Sequence, residues 1–319
     1  MVGLCGKGVW LAHSYDLQRA IEMATTAEAT HLLVKVGHGP FYFPETARQL
    51  VQRVRGMGFR PLAWLQLTDR APQEALVTIE KALAHNYEAV VLFVDTALIT
   101  GAQLTPLAEA LKTAGLPQER LLFASPPPIH LPDPRVWEII APHCRGGWMP
   151  LCFATWGTPE QVIDSDVYQA LGRLSLLWGS TPPVYPVLAT LAKPGGSALL
   201  PEAFIPWIES IMHHGIDFFS LYHVAATEKV FWPLIQAVRT NCQEREMIAA
   251  AGQAAPTAAN AIVQPIYITI ATGDTIWGII NRYGITKAKF WEWNGPLWDS
   301  RGLPRDPDYL QEGWRVRVK

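Results

Sequence analysis

Asp95 is the acid in this chain best placed to do chemistry. It closes the apolar run Val90-Val91-Leu92-Phe93-Val94, so a strand there would carry it at its C-terminal end. Other apolar runs end on polar or aromatic residues: His13 and Asp16, Lys35 and His38, Gln66 and Asp69, Ser125, Thr155 and Trp156, Thr190 and Lys193, Tyr222 and His223. Hydrolysis of a glycosidic bond would need two carboxylates about 5–9.5 Å apart. One protonates the leaving oxygen and the other acts as nucleophile or base. Asp95 alone cannot play both parts, and two residues on stands Ala97. Asp16 and Asp69 precede helical patterns, where N-capping accounts for them. A substrate N-acetyl group could replace the nucleophile, but an acid would still be required. His13, His38, His130 and His223 show neither HxH nor HExxH spacing and read as hydrogen-bonded structural residues, with no metal expected. Lys35 could form a Schiff base if desolvated, but pairing with Asp95 is the simpler account. No Gly-x-Ser-x-Gly elbow or phosphate-binding loop occurs, and no cofactor is expected.

Aromatic residues carry a second possibility, because ring faces stack on sugars. Trp64, Trp156, Tyr222 and the run Phe41-Tyr42-Phe43 would suit a glycan cleft. Trp10, Trp137, Trp178, Trp207 and Trp232 fall inside apolar strands or helices and are expected in the core.

The elements that would position these residues alternate regularly. Short apolar runs at 9–13, 31–37, 61–67, 89–95, 120–125, 148–154, 184–190 and 217–223 read as strands covered on both faces. Amphipathic stretches at 17–28, 46–56, 73–85, 105–114, 133–141, 159–177, 201–214 and 227–240 read as helices. Eight such units in about 240 residues predict an α/β fold with a TIM-like (β/α)8 barrel. A doubly wound sheet is disfavoured because no Gly-rich nucleotide fingerprint follows an early strand.

Three segments carry a family resemblance for this region: Lys7-Gly8-Val9-Trp10-Leu11, Leu33-Val34-Lys35-Val36-Gly37, and Val94-Asp95. With Trp64 they resemble the TIM-barrel glycoside hydrolases and lysozyme-like barrels. In the lysozyme-like families the fourth strand ends Asp-x-Glu, the Glu being the general acid. Ala97 stands at that Glu, so the resemblance implies a degenerate glycosidase, the alternative being an active cell-wall hydrolase with Asp95 as one catalytic acid.

The last fifty or so residues have their own pattern. Ile268 and Ile270 alternate with Thr269 as in a half-buried strand, and Gly273-Asp274-Thr275 reads as a turn and helix cap. Ile276, Ile279, Ile280 and Tyr283 recur at helical spacing up to Gly284, and Trp314, Val316 and Val318 alternate again. This order, with Asn294 and Gly313, resembles the LysM family of small βααβ modules. The resemblance implies binding of an N-acetylglucosamine-containing glycan such as peptidoglycan or chitin. Gly273, Asp274, Thr275, Ile276, Asn294 and Leu297 are the residues it would assign to the sugar. Residues 296–309 lengthen the loop expected after the second helix. They resemble a longer LysM variant associated with phage tails, which would serve as a structural adaptor to other subunits or to a second copy.

At 319 residues with 17% charged and 49% hydrophobic side chains, the chain suits one large and one small domain. The expected division is a barrel over 1–241, an Ala-rich linker over 242–263, helical at its start, and the LysM module over 264–319. A net charge of −2 without basic runs excludes a nucleic-acid signature. Cys5, Cys144, Cys152 and Cys242 are scattered and read as free or buried thiols rather than a disulfide framework. No apolar stretch suggests a membrane span or secretion signal. A cell-envelope or extracellular assembly is expected from the C-terminal module, and processing, another export route or assembly inside the cell would reconcile the two.

Overall fold

The computed structural model describes residues 3–39, 41–69, 74–94, 99–191, 198–253, 267–270, 276–283, 285–301 and 310–318. Asp95, Ala97, Lys193, Gly273, Asp274, Thr275, Gly284 and residues 302–309 of the long loop lie outside them. The chain divides into two units, Met1–Ala249 and Ala250–Lys319. Among the described residues no helix is long and apolar enough to cross a membrane.

Eight parallel strands close the barrel of the first unit. They are β1 (Gly6–Leu11), β2 (His31–His38), β4 (Arg60–Leu67), β5 (Val90–Val94), β6 (Leu121–Ser125), β7 (Gly147–Cys152), β8 (Val187–Leu188) and β9 (Phe218–Leu221). Each pairs with the next, and β9 returns to β1 with Gly6 opposite Phe218 and Val9 opposite Leu221. The short β3 (Phe41–Tyr42) folds back antiparallel on the end of β2. The eight strands fall where the apolar runs predict them.

Strand alternation divides the core in two. Trp10, Leu33, Leu62, Trp64, Val91, Phe93, Leu122, Met149, Leu151, Val187 and Phe218 fill the barrel. Their neighbours Val9, Leu11, Leu32, Val34, Ala63, Leu65, Leu92 and Leu121 face the helices. Both faces are therefore buried, which is why the strands read as unbroken apolar runs. Gly8 is required by this closure, since a Cβ there would lie 2.7 Å from both Leu33 Cδ1 and Phe218 Cζ.

The helical shell follows sequence logic with instructive exceptions. In α2 (Pro44–Gly56), Pro44 opens the helix, Ala47, Leu50, Val51 and Val54 form the buried stripe, and Arg53 and Arg55 occupy the last turn. The helix expected at 105–114 starts earlier, as α4 (Gly101–Thr113), because Thr100 and Gln103 form a capping box ahead of Pro106. The helix expected over 159–177 begins as a π-helix, Glu160–Val167, and continues as α6 (Tyr168–Trp178). The last barrel helix is reduced to α8 (Trp232–Gln236). Neither predicted aspartate cap forms. Asp16 occupies the N-cap position of α1 (Leu17–Thr26) but makes no side-chain cap bond. Glu74 is the N-cap of α3 (Ala75–Ala84), while Asp69 lies well ahead of it and is exposed.

The cysteine expectation is half wrong. Cys144 and Cys152 are buried free thiols, but Cys5 and Cys242 form a disulfide with Cα atoms 5.7 Å apart. Their separation of 237 residues hid the pair: closure of the barrel brings the chain ends together, and no local spacing records that. Cys242 lies in α9 (Asn241–Gln253), which occupies the start of the expected linker. Beside it, buried Lys7 donates from Nζ to the carbonyls of Ile235, Gln236 and Val238, capping the end of α8. Burial and nearby Arg239 push its pKa down to about 7.

The second unit contains β10 (Tyr267–Thr269), α10 (Ile276–Tyr283), α11 (Lys287–Asp299) and β11 (Arg315–Arg317). β10 and β11 pair antiparallel, Ile268 opposite Val316, which gives the βααβ order the sequence predicts. Ile270, Ile276, Ile279, Phe290, Trp298, Trp314 and Val316 form its core. Thr286 caps α11 by accepting from the Lys289 amide at 3.0 Å. The long loop begins later than expected, because α11 continues through Pro296 to Asp299. Trp298, fully buried, anchors that added turn.

Candidate functional site

The C-terminal ends of the barrel strands form the mouth where a site is expected. Its interior is crowded with rings. Phe93 and Tyr222 lie 5.5 Å apart at 15°, Tyr222 and Phe153 5.9 Å at 29°, and Phe153 and Trp156 5.3 Å at 5°. His130 continues the row, 5.6 Å from Trp156 at 17°. Trp10 meets Trp64, Phe93 and Tyr222 edge-on at 5.3–5.9 Å. These offset and T-shaped geometries are those aromatic pairs prefer.

This packing corrects one predicted ligand platform. Trp64 is 1% exposed, and its Nε1 donates to the Leu11 carbonyl at 3.1 Å. Alternation on β4 points it into the barrel, so its ring offers no open face to a sugar. Trp156 and Tyr222 are half-buried at the rim, as part of the ring row. Trp10, Trp137, Trp178, Trp207 and Trp232 are in the core as expected.

Polar groups gather on the β2–β4 side. Gln66 Oε1 accepts from Lys35 Nζ at 2.9 Å and lies 3.0 Å from His38 Nδ1. The Lys35 ammonium sits 4.9 Å over the Trp64 ring. His223 follows Tyr222 through a cis peptide. Burial lowers its pKa, His13 and Lys35 push the same way, and Asp16 opposes them. Opposite, His130 Nε2 meets Asp166 Oδ2 at 2.7 Å, and Gln161 Nε2 donates to Asp166 Oδ1 at 2.8 Å. Asp166 is buried and belongs to the π-helix, so that irregular turn delivers the carboxylate that fixes His130. His130 was legible as a hydrogen-bonded residue. Asp166 was not, because it sits mid-helix with no motif around it. Asp69 is exposed beyond β4.

In the second unit, Asn294 is buried. Its Nδ2 donates to the Phe290 and Arg317 carbonyls at 2.9 Å, and its Oδ1 accepts from the Arg317 amide at 2.6 Å. The side chain joins α11 to β11, so its polar atoms serve the fold. Ile276 is a core residue, and Leu297 packs half-buried against that core.

The first unit is an eight-stranded parallel barrel with an aromatic mouth, and the second carries a βααβ module of the LysM type. Residues 268–319 match the LysM domain family. The barrel resembles a chitinase from Chromobacterium violaceum ATCC 12472, with a TM-score of 0.51, 8% identity, and coverage of 73% of this chain and 98% of that one. It also resembles the catalytic domain of a hyperthermophilic chitinase from Pyrococcus furiosus, with a TM-score of 0.51, 13% identity, and coverage of 69% and 84%. At these identities the likeness establishes the fold alone. No curated protein matches the sequence.

Proposed function

We propose that this chain binds a peptidoglycan-type, N-acetylglucosamine-containing glycan, and that its barrel is a degenerate glycosidase contributing recognition rather than hydrolysis. The observation that carries the reading is the LysM match over residues 268–319. The chitinases that the barrel resembles are named for a polymer of the same sugar, which supports a shared ligand class. Loss of catalysis is supported by Ala97 at the expected acid position. It is supported again by the ring row from Phe93 to His130, which fills the mouth with the protein's own side chains. We place the protein at the cell envelope or in an extracellular assembly. The Cys5–Cys242 disulfide favours an oxidising compartment.

The test is a pulldown of the full chain on insoluble peptidoglycan and chitin, with released reducing sugar assayed in the supernatant. Binding without release is expected. Release that disappears in Asp95→Asn would make the barrel an active cell-wall hydrolase. Failure to bind either polymer, together with self-association, would replace the glycan reading with an adaptor role in an assembly.

A further inference from the structure

The exposed aromatic rings of the barrel are not spread evenly. Among the described residues, Tyr15 is 79% exposed, Phe41 57% and Phe43 38%, and all three follow or join the neighbouring strands β1 and β2. Tyr15 lies in the short 3-10 turn Ser14–Asp16 that follows β1, and Phe41 and Phe43 lie in the fold-back of β3 and the start of α2. Between Tyr15 and Phe43 is a cleft of about 160 Å³ lined also by His13, Ser14, Lys35 and Thr46, with Leu11 and Val34 at its apolar base. That volume is well below the roughly 300–1,000 Å³ of sites for drug-sized ligands and suits a single ring. The Tyr15 ring is held rather than loose: His13 stacks on it at 4.9 Å and 5°, leaving the other face to solvent.

A second observation points to the same place. Asp16 Oδ2 and His223 Nδ1 are buried polar atoms without a hydrogen-bond partner among the described residues. Asp16 ends the turn that carries Tyr15, and His223 feels the charges of His13, Asp16 and Lys35. Buried polar atoms are almost always satisfied, so two orphans near the cleft-lining His13, Tyr15 and Lys35 mark polar capacity that the fold leaves for water or a ligand.

We infer that this rim cleft is a carbohydrate subsite, taking one pyranose unit with its C–H face on the open face of Tyr15 and its hydroxyls toward Ser14 and Thr46. It rests on the glycan reading above and moves the barrel's contact with sugar from the packed centre of the mouth to its edge. Tyr15 and Phe43 supply apolar platforms. The Ser14 and Thr46 hydroxyls supply short polar contacts beside them. A neutral or N-acetylated sugar is the class these groups recognise.

Calorimetric titration of the full chain with soluble chitotetraose tests this. The wild type is expected to show a second site besides the LysM site. Tyr15→Ala should weaken that second site about tenfold, the size of a lost stacking contact, and leave the other unchanged. Tyr15→Phe should retain it, and Tyr168→Ala, an exposed ring elsewhere on the barrel, should be silent. Because Tyr15 is so exposed, the fold should be indifferent to these changes. Wild-type binding in Tyr15→Ala, or a single site that survives it, overturns the cleft while leaving LysM recognition intact. No binding by the wild type overturns the glycan reading and the cleft with it.

Discussion

Single residues in this barrel do work that their types alone do not reveal. His31 is fully buried. Its Nδ1 lies 2.7 Å from Thr30 Oγ1, its Nε2 has no partner among the described residues, and its ring meets Phe218 edge-on at 5.0 Å. Burial, with a smaller push from Arg60, lowers its pKa to about 3. An unfolded histidine takes its proton near pH 6.5. Between about pH 6.5 and 3 the unfolded chain therefore binds a proton that the folded one refuses. Stability is intact above that window and falls as the solution is acidified through it, by up to about 5 kcal/mol. Denaturant unfolding of wild type and His31→Leu at pH 7 and pH 4 checks the sign: the variant should lose much less stability on acidification. Equal losses would mean that carboxylates alone govern the acid response. Nothing in the sequence announced this role, since His31 merely opens an apolar run. Tyr15 was illegible for the opposite reason. It stands in the polar stretch His13-Ser14-Tyr15-Asp16, and its value depends on Phe43, some thirty residues away, sharing the same rim.

Elements were easier to read than residues wherever burial on both faces set the pattern. The strands are apolar because helices cover one side and the barrel interior the other, and that constraint is written locally. It fails where a neighbour in space overrides local preference. Pro296 reads as a helix stop, yet α11 runs past it because Trp298 reaches the small core and meets Phe290, Trp291 and Trp314 edge-on. A module this small has little core to lose. Trp298→Ala should cost about 3–5 kcal/mol, enough to unfold the LysM unit and abolish the glycan binding proposed for it while the barrel keeps its own transition. Trp298→Phe should cost much less, because it keeps a ring and removes the indole N–H that finds no partner among the described residues. Near-UV circular dichroism through a thermal ramp, with a glycan pulldown alongside, separates the two variants. A folded, binding Trp298→Ala chain would show that the added turn is dispensable.

At the scale of the whole molecule, the barrel is closed twice. Backbone pairing joins β1 to β9, and the Cys5–Cys242 disulfide bonds the segment entering β1 to α9, the helix that follows the barrel in the chain. The bridge spans 237 residues, so in the unfolded chain it constrains nearly all of the barrel sequence. Long loops gain most from such a constraint, on the order of 3–5 kcal/mol. In a unit of this size that corresponds to a fall in Tm of about 10 °C on reduction. The LysM unit has its own core and lies outside the bridged loop, so its transition should not move. Burial pushes the Cys144 and Cys152 thiols up, which keeps them neutral and poor partners for exchange. The drop should therefore be reproduced by the double variant Cys5→Ser with Cys242→Ser, with no further loss on adding reductant. Calorimetry of the full chain with and without dithiothreitol reads both transitions at once. A barrel transition indifferent to reductant would mean that β1–β9 pairing alone holds the ends. It would also remove the main support for placing this protein in an oxidising compartment.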